Sequence, residues 1–509
     1  MSPASSGSPN KWPITISVML ATVMNSLDTT IANVALPHIQ GSVSASQDQI
    51  AWVLTSYIVA STIGTPMTGW LAGRIGRKQL LMASIAGFTV ASALCGMSNS
   101  LAEIVSFRLL QGLFGASLIP LSQAVLLDVW PKEQHSQAMA IWAMGAILGP
   151  ILGPALGGWL TDNLDWRWVF YINLPVGLLA FTGVLMFISG RKEDNPRRFD
   201  FFGFGTLAVF IAAFQLMLDR GPSQDWFSSR EIWTEAVVAL IAFWLFIVHS
   251  MTAKNPFFDR GMLRDRSFMI STLMGLFVGL LLYSSMALIP TMLESLMGYP
   301  VVTTGLVTMP RGLGAFAAMI FIGRLNNRVD GRLLVLVGLV LCTAAAFQMS
   351  QFSLQMDSRL VIVSGVLQGL GTGMIFVPLS TLAFATLSAT LRNEGSALFS
   401  LVRNMGGSAG ISVIEAVQTH NSEVAHADLA AHVSRSDPTL LAYLPSQLSL
   451  NSTAGLDALN GEITRQSAMV AYVDDFKLLI FLSVGAIPLL LLLRAPKKKP
   501  AETVEVIVD

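Results

Sequence analysis

Asp28 and Arg108 are the two residues whose chemistry is least compatible with their neighbours. Asp28 lies in NSLDTTIANVALP (25–37), which continues an apolar run beginning at Trp12, with Asn25 and Asn33 nearby. A carboxylate at membrane depth costs at least about 2.5–3.5 kcal/mol even on lenient insertion scales. Arg108 opens RLLQGLFGA (108–116), also within an apolar run. If the first run leads outward and the fourth inward, Asp28 lies about eight residues, or ~12 Å, below the outer end, and Arg108 about seven residues, or ~10 Å, below the same surface. The acid and the base share a depth. One reading is a buried ion pair that joins two spans and adds little net stability, because desolvation offsets the attraction. The other is a switch: Asp28 takes a proton from an outward-opening cavity, Arg108 is released, and the preferred side of opening changes. Intramembrane acids mark proton relays by default.

Other residue patterns bear on the same question. GAILGPILGPALGGWL (145–160) sets Gly145, Gly149, Gly153 and Gly157 at i,i+4, beside Gly158 and with Pro150 and Pro154 between them. Such a stripe serves close helix packing, or a pliable seam between two halves with bends at the prolines. The spacing does not choose. Arg311 in MPRGLG and Arg403 in LVRNMGG suit an anionic substrate group or backbone carbonyls freed by a nearby proline or glycine. Asn25, Asn33, Tyr57, Gln123, Arg311 and Phe376 are candidates for a substrate pathway. Met24, Met67, Met144, Met286 and Met309 offer soft surface suited to varied ligands or to core and lipid contact. No phosphate-binding loop, zinc-protease motif or nucleophile elbow occurs, so the sequence points away from an enzyme and from a nucleotide-driven pump. Cys95 and Cys342 both lie in apolar blocks and imply buried thiols without a disulfide framework or metal site.

Helices long enough to cross a bilayer must position these residues. Of 509 residues, 53% are hydrophobic and 12% charged, against about 25% charged in an ordinary soluble domain. The apolar residues come in blocks of about 20, the length that crosses ~30 Å of hydrocarbon. The expected fold is all-α and polytopic, with about fourteen spans. Six run near 13–36, 50–71, 79–98, 101–126, 138–160 and 167–189; two near 202–219 and 232–252; six near 268–290, 303–323, 333–352, 360–386, 396–419 and 475–494. The division that follows is a tail 1–12, a six-helix bundle 13–189, a linker region with two extra helices 190–267, a second six-helix bundle 268–494 and a tail 495–509. No removable signal peptide is read at the N-terminus. About 21 of the 31 basic residues fall on one face, in GRIGRK, GRKEDNPRR, KNPFFDRGMLRDR, GRLNNRVDGR and RAPKKK, which places both termini in the cytoplasm.

The one long extramembrane segment, 420–474, faces outward; its start has helical spacing and prolongs the thirteenth span or caps it. His420, His426 and His432 recur every six residues and share no narrow helical face, against a metal site. The chain also repeats weakly. GWLAGRIGRK (69–78) and GRLNNRVDGR (323–332) each follow the second span of a six-span block, and RLLQGLFGA and GVLQGLGTG (365–373) each fall in its fourth. Gly365 stands in the second copy where Arg108 stands in the first. Parallel repeats about a midplane site are a transporter architecture.

These stretches, with WRWVFYINLPVG (166–177), resemble in order and spacing the signatures of the major facilitator superfamily, and more narrowly its fourteen-span drug:proton antiporters of the EmrB/QacA type. The resemblance implies a twelve-span core that rocks between inward-open and outward-open states, with two added helices. It implies a multi-pass protein of the bacterial inner membrane that exports hydrophobic, diverse compounds against proton entry, without a cofactor. Asp28 is then the first-span acid, Arg108 the fourth-span arginine linked to proton transfer, and Gly145 to Gly158 the antiporter signature. A periplasmic membrane-fusion adaptor and an outer-membrane channel are implied partners, met through 420–474; no nucleic acid is expected. Gly69, Arg74, Gly76, Arg77 and Lys78 form the inner-loop motif, but Gly73 stands where that motif carries an aspartate, so Arg74, Arg77 and Lys78 are left to meet helix C-termini or lipid phosphates. The rival readings are a proton-coupled metabolite carrier on the same fold and a non-transporting membrane scaffold.

Overall fold

In the computed structural model, residues 11–189, 198–325, 329–388, 391–433, 445, 448 and 452–493 are described, and every regular element among them is a helix. The two tails, apart from Lys11 and Trp12, and the middle of the outer segment lie outside the described residues. Thirteen helices are long and apolar enough to span a membrane, and the shorter Trp52–Gly64 brings the count to fourteen. The first bundle comprises Lys11–Val43, Trp52–Gly64 with Met67–Ile75, Arg77–Met97, Leu101–Val129, His135–Asn163 and Trp168–Phe187. The inserted pair is Phe201–Arg220 and Arg230–Thr252. The second bundle comprises Arg266–Thr291, Val301–Leu325, Gly331–Met349, Ser358–Ala385, Arg392–Ala431 and Thr453–Leu492. These are the first to fourteenth spans below.

Local sequence sets their limits. Ser100, Asp200, Ser229, Asp265, Asp330, Asp357 and Ser452 each accept a backbone N–H of the first turn they precede, satisfying donors that a helix leaves open at its start. Gly76 turns the second span into the third at φ +91°, which a side-chain-bearing residue rarely adopts. Three boundaries differ from expectation. The second span is not one rod; it breaks between Gly64 and Met67, at Thr65–Pro66, because Pro66 cannot donate its missing N–H. The thirteenth runs twelve residues past 419, to Ala431, and the fourteenth begins at Thr453 instead of 475. Both extensions are polar and lack the apolar signal by which spans are read. They pack on each other, and His426 Nε2 meets Asn460 Oδ1 at 3.1 Å across them.

The fifth span serves two partners with two faces. Its glycine stripe lies on the first span: a Cβ at Gly145 would strike Met19, at Gly149 the backbone of Ser26 and Leu27, at Gly153 Thr30, and at Gly157 Ile31. Gly158 is off the stripe with open space beside it. Pro150 leaves the Ala146 carbonyl without its helical donor, and the Ser26 hydroxyl donates to that oxygen. Thr30 Oγ1 donates to the Gly149 carbonyl at 3.1 Å. Of the two uses the stripe suggested, it performs close packing inside one bundle. The seam to the other bundle is made by different residues of the same helix, Ile151 against Gly312 and Ala140 against Gly323 of the tenth span.

The inserted pair packs face to face through Phe210 and Phe243, centroids 4.7 Å apart. Asp200 and His249 join it at one end (2.9 Å) and Arg220 and Glu231 at the other. Its eighth span shows Leu240, Trp244 and Met251 outward, an apolar surface suited to lipid. The seventh touches the second and thirteenth spans, with Thr55 Oγ1 donating to Asp219 Oδ2 at 2.5 Å.

Because Gly149 meets backbone while Gly158 meets nothing, Gly149→Val is expected to lower the melting temperature of the detergent-purified protein, in line with overpacking costs of about 1–3 kcal/mol, whereas Gly158→Ala leaves it unchanged. Equal melting of the two variants removes the stripe's packing role.

Candidate functional site

Asp28 and Arg108 touch. Arg108 Nη1 donates to Asp28 Oδ2 at 2.6 Å, and both side chains are fully buried. The other carboxylate oxygen, Oδ1, accepts from Gln111 Nε2 and Asn173 Nδ2, each at 2.8 Å. Arg108 also gives Nη1 to Gln111 Oε1 (2.9 Å) and Nε to the Val53 carbonyl (3.1 Å). Its guanidinium lies over the rings of Tyr57 (4.5 Å) and Phe170 (5.6 Å). Asn173 reaches Ser92 Oγ at 3.0 Å, Cys95 Sγ lies 3.6 Å from Gln111 Oε1, and Asn25 Nδ2 donates to Tyr57 Oη and to the Gly115 carbonyl, both at 3.1 Å. Spans one, two, three, four and six thus converge on one carboxylate. Three donors meet its two oxygens, the compensation that a buried charge requires.

The second bundle solves the equivalent place differently. Gly365 occupies the repeat position of Arg108, and a Cβ there would meet Arg311 of the tenth span at 3.5 Å. The arginine has moved to a neighbouring helix. It donates to Ser285 Oγ (3.0 Å) and to the Leu282 carbonyl (3.2 Å), with no carboxylate partner among the described residues. Gln368, the counterpart of Gln111, has an unpartnered buried Oε1.

Of the remaining pathway candidates, Asn25 and Tyr57 belong to the Asp28 network, while Asn33 is exposed and five residues away along the first span. Gln123 and Phe376 sit at the seam. Ser396 Oγ of the thirteenth span donates to Gln123 Oε1 at 2.7 Å, and Phe376 stacks on Trp142 of the fifth span at 5.6 Å, with the Arg403 guanidinium over the Phe376 ring at 5.4 Å.

The basic-loop end of the seam is closed by charge. Asp128, at the end of the fourth span, pairs with Arg77 and, at 3.1 Å, with Arg392 at the start of the thirteenth. Asp128 therefore binds the loop arginine that the missing aspartate at Gly73 leaves, and bridges the two bundles. A Cβ at Gly69 would collide with Glu394. Lys78 Nζ donates to the Leu185 carbonyl (2.8 Å) at the C-terminal end of the sixth span, the helix-end role expected of it, and Arg74 lies over Trp70 (5.2 Å).

Sequence reading passed over Gln111, Asn173, Ser92 and Asp128. Gln111 and Asn173 were inside quoted motifs, and the signal available was their polarity at the depth of Asp28. For Asp128 nothing local marks a partner 264 residues away.

With this geometry in view, the comparisons give the class. The family model described as Major Facilitator Superfamily matches residues 18–411, and the chain belongs to that superfamily. Within it, the chain is 34% identical over 499 residues to the fatty acid resistance protein FarB of Neisseria gonorrhoeae, covering 97% of this chain and 98% of that one. It is 34% identical over 481 residues to the multidrug export protein EmrB of Escherichia coli (strain K12), covering 94% and 93%. In fold it is similar to the human organic anion transporter MFSD10 (TETRAN), with TM-score 0.59 and 15% identity over 93% of this chain and 100% of that one. The proton:xylose symporter XylE gives TM-score 0.57 and 13% identity over 94% and 96%.

Removing one partner of a buried pair leaves an uncompensated charge and costs about 3–5 kcal/mol. Arg108→Ala is therefore expected to lower the unfolding midpoint sharply, and adding Asp28→Asn to regain part of the loss. Additive losses in the double variant show the pair to be uncoupled.

Proposed function

We propose that this protein is a proton-coupled antiporter of the bacterial inner membrane that exports hydrophobic drugs or toxic compounds by alternating access, both termini being cytoplasmic. The observation that carries the reading is the fully buried Asp28–Arg108 pair, held by five helices. The names of its relatives, multidrug export and fatty acid resistance, support apolar cargo. The positive-inside distribution supports the orientation, so the Arg77–Asp128–Arg392 closure lies on the cytoplasmic side.

The cycle follows from the contacts. A proton reaching Asp28 from outside neutralises the carboxylate and weakens its hold on Arg108, which keeps the Val53 carbonyl, Gln111 and the Tyr57 ring. The first span is then free to shift against the fifth, on which it lies through Ser26–Ala146 and Thr30–Gly149. The opposite face of the fifth span bears on Gly312, next to Arg311. Local neutralisation is thereby passed to the seam. Asn25, Asn33, Tyr57, Gln123, Arg311 and Phe376 line the cargo's route in this reading, and the proton gradient is the energy source without a cofactor. The joined extensions of the thirteenth and fourteenth spans offer the periplasmic adaptor, and through it the outer-membrane channel, a place to dock.

In proteoliposomes, Asp28→Asn is expected to bind ethidium with unchanged affinity while ethidium-dependent proton flux falls to background. A variant that pumps normally removes Asp28 from coupling, and a parent without ethidium-dependent proton flux removes the antiport reading. Asp128→Asn leaves Arg77 and Arg392 without their shared acid, so cysteine reagents applied from the cytoplasmic side are expected to label Ser396→Cys faster in that background than in the parent. An unchanged rate shows the bridge does not hold the seam.

A further inference from the structure

Among the described residues, one carboxylate besides Asp28 lies fully buried in the spanning helices. Asp475 of the fourteenth span has no exposed surface, and neither Oδ1 nor Oδ2 has a hydrogen-bond partner. It stands seventeen residues, or ~26 Å, before the helix end at Leu492. That depth is the edge of the hydrocarbon farthest from the basic loops.

Two hollows flank this residue along its helix, one lined by residues before it and one by residues after it. Tyr472, three positions before it and so on the same helix face, lines a groove open at the far end, together with Thr291, Gln418, Ser422 and Thr464. Leu479 and Ser483, four and eight positions after it, line a small cleft inside the second bundle with Leu282, Cys342, Gln368 and Thr372. Gln368, whose buried Oε1 has no partner, is one of the residues lining this cleft, and Arg311 donates to the carbonyl of Leu282, another of them. Polar groups therefore run from the outer groove past Asp475 to the core of the second bundle.

The surrounding charges do not neutralise a carboxylate. On its own helix Asp474 is engaged with Lys477 at 2.8 Å, and Tyr472 is a neutral phenol. The thirteenth span brings Glu415 into the neighbourhood of Tyr472, and the turn Met292–Leu296 brings Glu294, both acids; the thirteenth span also lines the outer groove with Glu423 and with His426, whose Nε2 meets Asn460 Oδ1 at 3.1 Å. Between their basic-loop arginines and their far ends, the ninth and eleventh spans carry only Tyr283 and Cys342 as titratable groups. An isolated ionised carboxylate in such a place is prohibitively costly, so the group that fits the site is the neutral acid.

We propose that Asp475 is a second proton-carrying carboxyl: it takes its proton from water in the outer groove and gives it up to water entering the cleft beneath when the cytoplasmic side opens. The protonation follows from burial; its part in the transport cycle rests on the antiport reading above. The first bundle then holds its acid as a closed ion pair, and the second holds its acid neutral, apart from its base.

The test is an infrared difference spectrum of the purified full chain between acid and alkaline pH. The parent should show a protonated-carboxyl stretch that Asp475→Asn abolishes, Asp475→Glu shifts and Asp28→Asn leaves in place. A parent-like band in Asp475→Asn overturns the proposal, and the glutamate variant answers the same question should the asparagine variant fold poorly. In proteoliposomes, protons moved per ethidium should fall by one in Asp475→Asn. An unchanged count, with the band lost, overturns the coupling role. Absence of ethidium-dependent proton flux in the parent overturns the antiport reading instead, and leaves the infrared result on Asp475 to stand by itself.

Discussion

A charge inside hydrocarbon has to be compensated by the protein, because lipid offers it nothing. The first bundle is organised around that constraint. Asp28 alone determines that Arg108, Gln111 and Asn173 converge from two helices, and Arg108 in turn recruits the Val53 carbonyl and two aromatic faces. The glycine stripe of the fifth span belongs to the same arrangement. It lets a helix backbone lie against Ser26 and Leu27, immediately before the acid, so a change in the charge of Asp28 acts on a helix that has no side chains to cushion it.

The two bundles show how a repeat diverges under one physical rule. An arginine is present in each, but Arg108 sits on the fourth span while Arg311 sits on the tenth, filling the room that Gly365 leaves. The same substitution of source occurs at the basic-loop end. There Gly73 has no carboxylate to offer, and Asp128 gathers both Arg77 and Arg392. What the packing requires is a negative charge between those arginines, whichever helix brings it.

Much of the architecture was legible because bilayer thickness forces apolar blocks of one length. The shared depth of Asp28 and Arg108 was legible for the same reason, since helical rise converts sequence position into height. Their contact was not, because depth leaves rotation about the helix axis open. Gln111 and Asn173 were hidden by being neutral: an amide inside a span is cheap enough to occur without a reason, so its polarity signals little. The break at Thr65–Pro66 was missed inside an otherwise continuous apolar run. Helical spacing after His420 made the outward prolongation of the thirteenth helix legible, whereas the early start of the fourteenth was missed because a polar helix in water carries no hydropathy signal. The Asp128–Arg392 bridge depends on tertiary closure between distant segments, which no local pattern encodes.

Each of those last two long helices has 40 residues, and so measures ~60 Å against the ~30 Å of a hydrocarbon layer. Roughly half of each is therefore a lever outside the membrane, rigidly continuous with the bundle that moves. Tilting that bundle by about 10° sweeps a tip ~30 Å away through ~5 Å, a stroke comparable to one helical turn. Anything resting on the tips would sense which way the protein is open mechanically, before any cargo arrives.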